Sequence, residues 1–149
     1  MLQKKPSMSL LLAKTMVEAS EEKARQQGWK MNIAVVDDGA NLVLFEHMDG
    51  AFLGSVGLAQ RKAMTSANFP IPTRQFATLA FGKARTPGVE PGIADVPDIV
   101  AIAGGLPIMT VDNVHIGGIG VSGGISDDQD EACAQAGLDA VKDQLVAAE

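Results

Sequence analysis

Between Gly104 and Gly124 the chain reads GGLPIMTVDNVHIGGIGVSGG: two apolar runs around a polar dipeptide, with glycines clustered at both open ends. Asp112-Asn113 suits the positive φ values of a tight two-residue hairpin turn. That turn sets Val111 against Val114 and Thr110 opposite His115. Glycine weakens a strand, so Gly117, Gly118 and Gly120 call for a bulge, a bend, or the close approach of a ligand or second backbone. This ribbon is the expected centre of an antiparallel sheet.

The chain before it supplies partners. Ser7 or Ser9 caps a first helix that runs to about Gln27 and stops at Gly28, with Leu10, Ala13, Val17 and Ala24 on its apolar face. Met31 to Asp37 is a β-branched strand. Asp38-Gly39-Ala40-Asn41 turns it into a second, Leu42 to Met48. A helix over Phe52 to Asn68 carries the small residues Val56, Ala59, Ala63 and Ala67 on one face, suited to close packing on a sheet. Residues 69–97 hold five of the seven prolines and form an ordered lid or interface loop, interrupted by a helical turn at Thr73 to Phe81. Ile99 to Ala101 reads as a further strand. Ser126-Asp127-Asp128-Gln129 has the pattern of a capping box and opens a last helix to about Ala147, with Ala132, Cys133, Ala136, Ala140 and Leu145 as its buried stripe.

Strands joined by tight turns pair antiparallel, because parallel pairs need long crossovers. The order α-β-β-α-β-β-β-α therefore predicts one α+β domain over 1–149, with about five antiparallel strands flanked by helices and a frayed tail at 1–6. The apolar run at Leu10 to Ala13 is shorter than a secretory h-region, and nothing approaches the roughly 20 apolar residues of a membrane span. With one cysteine and no membrane partner, a cytoplasmic protein is expected. A net charge of −6 and no Tyr argue against nucleic acid. Low charge and abundant alanine leave room for subunit interfaces.

Two familiar patterns overlap in the glycine stretch and neither has its context. Gly118 to Gly123 matches G-x-G-x-x-G, but inside a hairpin rather than after a parallel strand. Gly120 to Gly124 matches G-x-S-x-G, but no His lies downstream. A simpler reading is that Gly104, Gly105, Ser122, Gly123 and Gly124 offer free N–H groups to an anion beside a helix start, or else only relieve crowding. Lys62, Thr65 and Arg85 are candidates to hold that anion. His47 shares a face with Val43 and Phe45 and reads as partly buried. With Glu46 it is the candidate proton-transfer pair. His115 reads as an exposed bystander and Cys133 as core. One Cys and two His leave no zinc-type cluster.

Several segments together, VVDDGANLVLFEHMDGA, AQRKAMTSA, GGLPI, GGIGVSGG and DDQDEACAQAGLDA, resemble the GlcG/HbpS family, also called the haem-degrading domain, which includes the C-terminal domain of PduO. The resemblance spans nearly the whole chain. It implies a five-stranded antiparallel sheet, homo-oligomers, and for some members haem binding and degradation; others accompany pathways that degrade small organic acids. The family motif commonly reads R-M-D-G-A, whereas here His47 precedes Met48-Asp49-Gly50-Ala51. That exchanges a fixed cation for an imidazole. Two functions follow as expectations. One is a hydrolase or isomerase needing no cofactor, acting on a small anionic metabolite of a catabolic pathway. The other is haem binding, with His47 or His115 as the iron ligand, or a sensor using the same pocket without chemistry.

Overall fold

The computed structural model describes residues 1–146. Helix α1 (Leu10–Gln27) starts where Ser9 Oγ accepts the Leu12 N–H and ends at Gly28, whose φ of +74° only glycine takes freely. Its buried face is Ala13, Met16, Val17, Ser20 and Ala24, whereas Leu10 is exposed. Strands β1 (Asn32–Asp37) and β2 (Leu42–His47) form the first hairpin. Helix α2 (Ser55–Asn68) follows, then α3 (Thr73–Phe81) and a 3-10 turn at Pro91–Asp95. Strands β3 (Gly105–Met109) and β4 (His115–Ser122) make the second hairpin, and α4 (Asp127–Val141) closes the fold. Helix α4 stops at Val141; the expected end at Ala147 lies outside the described residues.

The sheet has four strands in the order β2-β1-β4-β3, all antiparallel. The expected fifth strand at Ile99 to Ala101 does not form. Its backbone is claimed by α2 instead: the Val100 N–H donates to Thr65 Oγ1, and that hydroxyl donates to the carbonyls of Arg61 and, at 3.4 Å, Asp98. The central turn is also longer than two residues. Asn113 alone takes positive φ (+62°), Thr110 pairs with Val114, and the shift between Ile108 and Met109 leaves Ile116 as a bulge. This is the three-residue hairpin loop with a bulge rather than the primed two-residue turn. Val111 is consequently exposed and gives its N–H to the Leu145 carbonyl. Pro107 sits in β3, an edge strand, where a missing donor is tolerated.

Helices α1 and α4 cover one sheet face, burying Ile33, Val35, Ile119 and Val121; α2 covers the other over Ala34 and Val36. The layer under α2 is unusually thin. A Cβ on Gly120 would lie 2.1 Å from the Ala59 carbonyl oxygen, and one on Gly118 would lie 2.2 Å from that of Ala63. A second backbone, not a ligand, is the reason for these glycines. The irregular 69–97 stretch is ordered locally by the Phe69–Phe76 edge-to-face pair, with centroids 5.4 Å apart, and by Glu90 N–H donating to the Leu79 carbonyl.

Gly118→Ala or Gly120→Ala should cost roughly 3 kcal/mol in urea unfolding, since a helix backbone cannot yield as a side chain can. Gly54→Ala, with open space around its Cβ, should stay within about 0.5 kcal/mol.

Candidate functional site

Laid so close to the sheet, α2 turns Lys62 inward. Its ammonium is fully buried, 2.8 Å from Asp130 Oδ2 and 3.0 Å from the Val121 carbonyl oxygen. Asp130 also accepts the Gly124 N–H through Oδ1 at 2.8 Å. One carboxylate thus joins α4 to α2 and to the end of β4. Gly104, at φ +125°, passes over this pair: a Cβ there would stand 2.8 Å from Lys62 Nζ. The Gly105 N–H donates to Thr73 Oγ1, the Gly104 carbonyl accepts from Val121, and the Ile125 N–H donates to Gln129 Oε1.

The glycine-lined anion site expected at Gly104, Gly105, Ser122, Gly123 and Gly124 therefore does converge, together with Lys62, but the anion at its centre is the protein's own Asp130. Ser122 is buried in β4 opposite Asn32, and Gly123 (φ +133°) lies against the Lys30 carbonyl. Thr65 is spent on the 98–100 segment. Arg85 is exposed, on the turn that follows α3. Ser126 makes no side-chain cap; Gln129 and Asp130 take the adjacent amides instead. Cys133 is core as expected, and burial pushes its thiol up to about 12, so it stays protonated at neutral pH.

Glu46 and His47 are neighbours on β2 and so face opposite sides of the sheet. Glu46 pairs with Ile33 on the side covered by α1. Burial first, and then the Glu21 carboxyl of α1, raise its pKa to about 7; Glu18 adds to this and Arg25 opposes it. It cannot assist His47, and the expected pair does not form. His47 pairs with Asn32 on the side of α2, and it is exposed rather than partly buried. Its Nδ1 lies 2.5 Å from Asn32 Oδ1. The Asn32 amide NH₂ donates to the Phe52 carbonyl at 3.0 Å, which fixes Oδ1 as the acceptor and Nδ1 as the protonated nitrogen. Nε2 has no protein partner among the described residues. Phe52, whose carbonyl Asn32 holds, and Leu53 after it are 64% and 81% exposed.

His115 is not a bystander: its Nε2 lies 2.7 Å from the Ser66 carbonyl oxygen at the end of α2, and the ring is half-buried. Asp130 and Asn32 are the residues that sequence reasoning missed. A Lys on a small-residue face that packs on a sheet signals a buried carboxylate partner, and an Asn directly across from a strand His signals its orienting group.

The class of protein follows from this geometry: a four-stranded α+β domain, its polar centre closed by an internal ion pair, with an oriented imidazole open at the sheet edge. A family model described as haem-degrading protein HbpS-like matches residues 8–139, and the chain belongs to that family. A 15.0 kDa protein of the Citrobacter freundii dhaT-dhaS intergenic region is 33% identical over 133 residues, covering 89% of this chain and 91% of that protein. A crystal structure of a Streptomyces reticuli HbpS double mutant superimposes with a TM-score of 0.81 at 32% identity, covering 93% and 89%. A PduOC structure in complex with heme gives 0.76 at 27% identity over 91% and 95%.

Lys62→Met should destabilise the fold by about 3–5 kcal/mol in chemical unfolding, because Asp130 is left buried and unpaired, and adding Asp130→Leu should recover much of that loss. The raised Glu46 pKa has the opposite pH sign to most carboxylates: the folded state holds the proton more tightly than the unfolded chain. Its contribution is full below about pH 4.5 and is lost as pH rises through about 7. Glu46→Gln should remove that slope, with a gain at pH 8 on the order of 1 kcal/mol after allowing for solvent screening, read from unfolding midpoints across pH 4 to 8.

Proposed function

We propose that the chain binds haem at the open edge of the sheet, with His47 Nε2 as the iron ligand. The observation that carries this is the Asn32–His47 bond. Histidines that hold metals characteristically donate their other ring nitrogen to an oxygen acceptor, which fixes the tautomer and aims the free lone pair. Here Nδ1–H is given to Asn32 Oδ1, and Asn32 is itself fixed by Phe52. Exposed Phe52 and Leu53 offer the apolar contact that a porphyrin face requires. Bound haem would supply a redox-active iron; the chain supplies the ligand, its orientation and an apolar wall. The family description and the heme complex of PduOC support the choice of ligand.

His115 is the weaker candidate, because its Nε2 is spent on the Ser66 carbonyl. The alternative, a hydrolase or isomerase on a small organic acid, needed free amides and a free Lys62; Asp130 occupies both. Its base would be His47 without Glu46. A homo-oligomer remains part of the proposal, supported by the exposed apolar side chains Leu42, Phe52, Leu53, Phe81 and Ile102. The lone, buried Cys133 suits a reducing cytoplasm.

Titration with ferric haem at micromolar protein should shift the Soret band, and His47→Ala should weaken binding at least about tenfold and change the spectrum, the loss of one metal–ligand bond being worth more than 1.4 kcal/mol. Native mass spectrometry of the same sample reads bound haem and subunit number together. An unshifted wild-type Soret band, or an unchanged one in His47→Ala, sinks the assignment.

A further inference from the structure

We infer that the outer edge of β2 is a strand-pairing surface whose occupant is β2 of a second copy of this chain, the two sheets joining antiparallel across a two-fold axis. This rests on the homo-oligomer reading, names its surface, and does not depend on haem. The sheet has two edges, β2 and β3, and they are built differently. On β3 the Val121 N–H donates to the Gly104 carbonyl, so by alternation Gly105 and Pro107 turn their backbone groups outward. Gly105 spends its N–H on Thr73 Oγ1 at 2.9 Å, and Pro107 has none to offer. That edge is closed to a further strand. On β2 the Met48 N–H donates to the Met31 carbonyl, so the outward residues are His47 and Phe45. Neither outward N–H has a protein acceptor among the described residues.

The strand itself, LVLFEH from Leu42 to His47, contains no proline, lysine or glycine to blunt it, and Leu42 is half-exposed. Its one acid, Glu46, turns toward α1 and holds its proton up to about 7, which leaves little charge on the strand to repel a neighbour. Native chains seldom leave such an edge bare. What selects a second copy is the charge at the two ends. Beyond His47, the Lys30 stem lies across Gly50, where a Cβ would meet Lys30 Cδ at 2.8 Å. Its ammonium ends at the Asp49 carbonyl oxygen, 3.3 Å away, and has no carboxylate partner among the described residues. Before Leu42, the turn carries Asp37 and Asp38, and Asp38 stays partly exposed while it holds Lys5. Antiparallel pairing of identical strands sets the lysine end of each copy beside the acidic end of the other, twice over one interface. Parallel pairing would set like ends together. Side chains stand off the sheet plane, so the pairing spends the main chain of His47 and leaves its ring free.

The test is sedimentation velocity across micromolar concentrations, with residue-resolved amide exchange by NMR on the same samples. The wild type should assemble, and its Phe45 and His47 amides should exchange at least about tenfold more slowly as it does. Leu42→Lys, which adds the missing gatekeeper at an exposed position, should weaken assembly at least about tenfold and return both amides to fast exchange. Lys30→Asp should weaken assembly roughly threefold or more, and the double swap Lys30→Asp with Asp38→Lys should restore it; this pair carries the test even where Leu42→Lys fails to fold. An assembled wild type whose Phe45 and His47 amides exchange freely, or a folded Leu42→Lys that assembles like the wild type, overturns the β2 edge and leaves the homo-oligomer standing. A wild type that stays monomeric at every concentration overturns both.

Discussion

The close approach of α2 to β4 governs the rest of the molecule. With Gly118 and Gly120 beneath Ala59 and Ala63, helix backbone rests on strand backbone with no side-chain layer between them. A residue on the inner face of such a helix has nowhere to go but through the sheet's end, and Lys62 does so. A buried ammonium without a partner is prohibitively costly, so the chain must supply a carboxylate, and Asp130 does. The same carboxylate takes the Gly124 amide at the start of α4. Helix, strand and helix are thereby held in one polar knot, and the register of α4 against the sheet follows from it.

That knot fills the place where the sequence suggested a ligand. Bare amides and a lysine do attract an anion, and the inference from glycine spacing to anion binding is physically sound. What the spacing cannot reveal is whether the anion comes from solvent or from six residues downstream. Asp130 was hidden because acids in the first turn of a helix are ordinarily read as complements to its dipole. Asp127 and Asp128 fit that reading and are exposed; Asp130 is nearly fully buried.

The elements legible in the sequence were those set by local chemistry: both hairpins, the glycine stop of α1, the helix at Thr73–Phe81, and the alanine face of α2. The misread ones were decided by competition between distant groups. Ile99 to Ala101 has the composition of a strand, yet Thr65 takes its amide first. Asp112-Asn113 suits a two-residue turn, yet only Asn113 turns left-handed and Ile116 absorbs the extra residue. Ser126 suits a cap, yet the neighbouring amides go to Gln129 and Asp130.

Alternation placed His47 on the same side as Phe45, but it could not tell where α2 ends. Phe45 is half-covered because it stands opposite Ala34, within the footprint of α2; His47, two residues further along, stands opposite Asn32 and beyond it. The contrast with His115 makes the same point, since that ring lies under the other end of α2 and is consumed by the Ser66 carbonyl. A helix seated so tightly closes everything beneath its length and exposes whatever lies past its ends. Exposure in this fold is thereby pushed from the centre of the sheet to its rim, where the buried Asn32 holds His47 in place.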